Sequence, residues 1–148
     1  RELLEGYLAD GFVQLGFEPR EYFRQSDLQV AAIGWLAQQQ AFAALLAWAP
    51  DRIATLDSET LTVDPVAAAC AAMAHLGLAV DAARLTAQPA LGRNSKSGAD
   101  FAPGERQRDL IAAEAAYGEE IEQVVGWAEV VAGQAGIALT LPQPLLPR

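Results

Sequence analysis

Cysteine, histidine, lysine and methionine each occur once in this 148-residue chain, as Cys70, His75, Lys96 and Met73. A lone cysteine closes no internal disulfide, and one histidine with one cysteine cannot fill a zinc shell, so a disulfide scaffold and a zinc module are excluded and a reducing, cytoplasmic setting is expected. Basic residues are scarce as well. Ten Lys and Arg stand against nineteen Asp and Glu, a net charge of -9. That balance repels phosphate backbones and anionic lipid, which argues against a nucleic-acid binder or a membrane-surface protein. The chain opens at Arg1 without an initiator Met, and residues 1–6 carry no signal-peptide pattern. This start predicts a processed product or a piece of a longer protein. With 52% hydrophobic and 20% charged residues the chain is no disordered tail, and its length allows one domain with a sizeable core.

Roughly a fifth of the residues are alanine and β-branched residues are sparse, so helix is the default expectation and the fold class is mostly α. A first helix is predicted from about Glu2 to Leu15, with Leu4, Leu8, Phe12 and Leu15 on one face and Gly16 as its stop. After a connector around Pro19, Ser26 or Asp27 caps a second helix that can run to Ala49 before Pro50. Leu28 to Ala49 contains no charged residue, which is long enough to span a membrane. Gln29, Gln38, Gln39 and Gln40 would leave amides unpaired in hydrocarbon, so a helix buried inside a soluble protein is expected and no membrane span.

The clearest strand signal is Arg52-Ile53-Ala54-Thr55-Leu56, giving one strand near 52–57 with no convincing partner in the chain. Its sheet is expected to lie before Arg1. Asp64 then caps a helix with Pro65 at its first position and Gly77 as its stop. Asp81 caps a short helix to about Gln88. A Gly-, Asn-, Ser- and Pro-rich loop reaches Pro103, and Gly104 to Ala135 reads as helix, bent near Gly118. Residues 1–138 thus form a helical portion and 139–148, with three prolines, an extended tail.

Most of this is scaffold. The loop Leu91 to Phe101 differs, because Arg93 and Lys96, with Asn94, Ser95 and Ser97 beside them, gather donors suited to phosphate or sulfate in an otherwise acidic chain. Gly92 and Gly98 allow backbone amides to face the same anion. A solvated surface loop would have the same composition. It is no Walker loop, since no strand leads into it and no Gly precedes Lys96. A second segment, Asp57-Ser58-Glu59, would sit at the carboxyl end of the predicted strand, where ligands of open α/β sheets bind. Ser58 and Glu59 stay open between turn formation and ligand contact.

His75 falls at a helix C-terminus, favourable for an imidazolium against the helix dipole. Cys70 reads as a small buried apolar residue, Trp35, Phe42 and Trp48 read as core, and Glu119, Glu120 and Glu122 as a solvated face.

Two of these segments together resemble a known family. Ser58-Glu59-Thr60-Leu61 followed by Val63-Asp64-Pro65, a helix, and His75-Leu76-Gly77-Leu78 is similar to the late core of sulfotransferases that use 3'-phosphoadenosine 5'-phosphosulfate. The loop Gly92 to Phe101 resembles that family's later basic loop, and Tyr22 to Trp48 the helices that bacterial members place between their halves. The resemblance covers roughly Tyr22 to Leu110. It implies the C-terminal portion of an α/β P-loop fold, with the phosphosulfate-gripping loop and an Arg…Ser element in a preceding segment of the same protein. It further implies that Arg93 and Lys96 hold the donor's 3'-phosphate with Asn94 and Ser95 assisting. Ser58 stands where many members carry an adenine-contacting Tyr. Trp35, Gln38 and Gln39 would face an acceptor, a small molecule, glycan or peptide, by fold analogy. The resemblance assigns no catalytic acid or base. A helical interaction module, or another P-loop phosphate-handling enzyme, would share this layout.

Overall fold

The computed structural model describes residues 15–93, 98, 100 and 103–146. The helix expected from Glu2 onward lies outside the described residues except for Leu15. The described chain is mostly helical, with α1 at Asp27–Trp48, α2 at Ser58–Val63, α3 at Pro65–His75, α4 at Ala82–Thr86 and α5 at Pro103–Ala135, joined by 3-10 turns at Pro19–Arg24 and Pro89–Gly92. It divides into two compact units. Residues 15–51 with 116–141 belong to one, and 52–115 with 142–146 to the other.

The helix boundaries follow local chemistry. α1 starts at a reciprocal cap, in which Ser26 Oγ accepts from the Gln29 N–H at 3.2 Å while Gln29 Oε1 accepts from the Ser26 N–H at 2.9 Å. Asp64 Oδ1 accepts from the Ala67 N–H at 2.9 Å ahead of α3, and Asp81 Oδ1 from the Arg84 N–H at 3.0 Å ahead of α4. Gly77, at φ +69°, lets the chain turn back so that the Leu78 N–H donates to the Met73 carbonyl at 2.9 Å. An L side chain is disfavoured at that dihedral. Asp64→Ala leaves an amide of the first turn of α3 without its acceptor and should lower stability by about 1 kcal/mol, whereas Asp64→Ser should keep most of it. Thermal melts of the two variants check this.

In the first unit, Leu36 of α1 is fully buried against Ala128, Val131 and Ala132 of α5, with Leu15, Phe17, Trp127 and Ile137 around them. Ile33 is buried beside it, against Leu15, Phe17, Val30 and Trp127. The Phe17 and Trp127 rings sit 5.9 Å apart at 40°. Burial of α1 is nonetheless incomplete. Ile33, Leu36, Ala37 and Leu46 are buried, while Trp35, Phe42, Leu45 and Trp48 are exposed, Trp48 at 77%. This corrects the expectation that Trp35, Phe42 and Trp48 are core. α1 is apolar around its circumference, and the described chain leaves much of it uncovered, the second half more than the first apart from Leu46. It is also the one helix among the described residues long and apolar enough to cross a membrane.

In the second unit the predicted strand does not form. Residues 52–56 are extended only to a single parallel bridge at Thr55, whose N–H donates to the Gln143 carbonyl at 2.9 Å and whose carbonyl accepts from the Leu145 N–H at 2.7 Å. Thr55 Oγ1 adds a bond to the Pro142 carbonyl at 2.9 Å. The reason is the partner. The tail offers Pro142 and Pro144, which carry no amide proton, so the ladder cannot lengthen past one residue. The described residues contain no strand, and the P-loop α/β sheet has no counterpart among them. His75, in the last turn of α3, donates from Nε2 to the Arg52 carbonyl at 3.0 Å and ties that segment to the helix end. Among the described residues of this unit Ala68 is buried, and Cys70 is half-buried rather than enclosed.

Candidate functional site

Ser58 is not at a strand end. It is the first residue of α2, because Asp57 takes the capping role, with Oδ1 accepting from the Thr60 N–H at 2.7 Å and Oδ2 from the Thr60 hydroxyl at 3.0 Å. An Asp three residues before a Thr, ahead of Leu61 and Val63, is a helix-start signal that was present in the sequence. Strand periodicity just before it drew the boundary elsewhere. The Thr62 hydroxyl, one turn on, donates to the Ser58 carbonyl at 2.6 Å.

Onto these two hydroxyls comes Arg106, from the first turn of α5. Nη2 donates to Ser58 Oγ and Nη1 to Thr62 Oγ1, each at 3.3 Å. Both acceptors are neutral oxygens, and among the described residues no carboxylate forms an ion pair with this guanidinium. Among the described residues its charge meets no carboxylate, and the two bonds engage two of its five donors. Sequence reasoning missed Arg106 altogether. It lies 48 residues from Ser58, and no local pattern marks a contact of that range.

The basic loop is closed at its base by a single antiparallel bridge between Arg93 and Asp100. Gly98 takes φ +69°, whereas Gly92 ends the 3-10 turn Pro89–Gly92 without a positive φ. Arg93 is exposed. Asn94, Ser95 and Lys96 lie outside the described residues. Among the described residues no hydrogen bond joins Arg93 to Ser58, so the geometry brings Ser58 to Arg106 rather than to Arg93.

Trp35, Gln38 and Gln39 belong to the other unit. Trp35 and Ala32 border an apolar groove of about 240 Å³ whose opposite wall is Val124, Val125 and Ala128 of α5. Gln38 is exposed, and the Oε1 atoms of Gln39 and Gln40 are sealed from solvent with no donor among the described residues. Glu119, Glu120 and Glu122 are exposed on α5. No cluster of three or more His, Cys, Asp or Glu among the described residues is placed to hold a metal ion. Compared with known proteins, the chain matches no protein-family model, no curated protein and no solved structure.

Proposed function

We propose that this chain supplies the donor-nucleotide side of a sulfotransferase-like enzyme, which moves a sulfuryl group from 3'-phosphoadenosine 5'-phosphosulfate to a hydroxyl or amine acceptor. The observation that supports it is the Arg106 guanidinium laid across Ser58 and Thr62, a cation that pairs with no carboxylate among the described residues, at a residue that the family resemblance gives to the nucleotide. Arg93, Asn94, Ser95 and Lys96 would grip the 3'-phosphate, and Ser58, with Arg106 behind it, would meet the adenosine portion. Arg106 acts here as a positioning residue, holding the first turn of α2 against α5.

In-line sulfuryl transfer depends on alignment and on stabilising charge at the bridging oxygens. The groups for that step belong, in this reading, to a preceding segment that supplies the sheet and the phosphosulfate-gripping loop, and the 148-residue chain alone transfers nothing. A cytoplasmic setting, without nucleic acid or a membrane span, is part of the same proposal. Arg106→Ala should weaken binding of adenosine 3',5'-bisphosphate several-fold, and Arg106→Lys should recover only part of it because an ammonium cannot bridge two hydroxyls as a fork does. Calorimetry on the folded variants reads this out, and unchanged affinity in both would remove Arg106 from the reading.

A second reading, a helical protein-interaction module without catalysis, is favoured by one observation. Sixteen large apolar residues are exposed among the described residues, against eight buried hydrophobic ones. Soluble monomers rarely leave large contiguous apolar surface uncovered. This reading expects a chain without nucleotide affinity.

A further inference from the structure

The groove of the first unit has a composition that selects a ligand. Trp35 of α1, Val124 and Val125 of α5 and Leu139 beyond it form its walls, and Glu129 borders it as the one ionisable residue among those that line it. Trp35, Val125 and Leu139 keep 44%, 51% and 39% of their surface exposed, so apolar area from three segments of the chain is gathered at one place. Val125 and Glu129, four residues apart, lie on the same side of α5. Glu129 is exposed, and among the described residues neither an ion pair nor a hydrogen bond engages its carboxylate.

We propose that this groove binds a small arylalkyl ammonium, with its ring between Trp35 and the valines of α5 and its nitrogen at Glu129. Charge decides the head group. A carboxylate or phosphate would be repelled by Glu129 and by a chain of net charge -9. An ammonium instead gains a charge-assisted hydrogen bond to that carboxylate and attraction to the face of the indole. Volume decides the body. The groove holds about 240 Å³, whereas an apolar cavity of about 150 Å³ already accepts a benzene ring. One ring with a short alkyl arm fits that space, and its apolar surface covers what Trp35, Val125 and Leu139 leave open.

The site stands without the sulfotransferase reading, since every residue in it belongs to the first unit and binding is measured with no donor nucleotide present. An affinity of about 1 mM suits a ligand this small. Because the nitrogen meets an exposed carboxylate, added salt should weaken binding of the amine and leave a neutral analogue almost unaffected.

The test uses the full chain, titrated with phenethylamine and with its neutral counterpart 2-phenylethanol while the indole N–H resonances are followed by NMR. The Trp35 resonance should move on saturation, and that of Trp48, 77% exposed and outside the groove, should not. The amine should bind about fivefold more tightly than the alcohol, the scale of one exposed ion pair. Glu129→Gln should remove most of that preference and leave the alcohol unchanged. Glu120→Gln should preserve it. Glu120 is also exposed, but nine residues away it lies about half a turn round α5, so it reports only the general attraction of an acidic chain for a cation. Both substitutions replace exposed side chains by isosteres, so folding survives them. Equal affinity for amine and alcohol, a preference that survives Glu129→Gln, a preference lost equally in Glu120→Gln, or movement of Trp48 instead of Trp35 would each overturn the site. So would a titration still unsaturated at about 10 mM, ten times the affinity expected of such a ligand.

Discussion

Leu36→Ala should reduce the unfolding free energy by about 3–5 kcal/mol, the upper part of the range for truncating a buried leucine. Leu36 has no exposed surface, and its neighbours on α5 include Ala128 and Ala132. Alanines have no side chain to swing into a void, so the cavity left by three lost carbons would persist rather than collapse. Against a total stability of about 5–15 kcal/mol for a domain, this is a large fraction. Leu45→Ala, on the exposed face of the same helix, removes the same atoms and should cost under about 1 kcal/mol in the folded single chain. Urea unfolding followed by circular dichroism, at one fixed protein concentration, compares them. The midpoint should fall strongly for Leu36→Ala with little change in slope. Similar losses for the two variants would mean that α1 packs by a different face.

Arg93→Ala and Lys96→Ala should each weaken binding of adenosine 3',5'-bisphosphate by about 1.5–3 kcal/mol, the scale of a hydrogen bond to a charged group and roughly a 10- to 150-fold loss. The same changes should barely alter affinity for adenosine 5'-phosphosulfate, which has no 3'-phosphate. The contrast between the two ligands carries the information, because a general loss of structure would weaken both. Arg93 is exposed, beside the bridge to Asp100, so folding should survive its replacement. Calorimetry with each nucleotide decides the matter. Equal losses, or none for either ligand, would return the loop to a solvated surface and leave the interaction-module reading in its place.

The sequence by itself determined where the helices of the described chain start and stop, because caps and stops act over three or four residues. Ser26, Asp64 and Asp81 each satisfy an amide of the turn that follows them, and Gly77 supplies the left-handed residue that ends α3. A chain read one turn at a time contains that information. Even there, α2 was hidden by the apparent strand before it. Tertiary structure alone decided three matters. Whether residues 52–56 become a strand depends on a partner's amide protons, and the tail that arrives supplies prolines. Which residues surround Ser58 depends on α5 returning an arginine from 48 positions away. Which side of α1 is core could not be read from a helix that is apolar all round. It was decided by the partner that arrives: Ala128, Val131 and Ala132 of α5 enclose Leu36, while Trp35, Phe42 and Leu45 stay largely exposed.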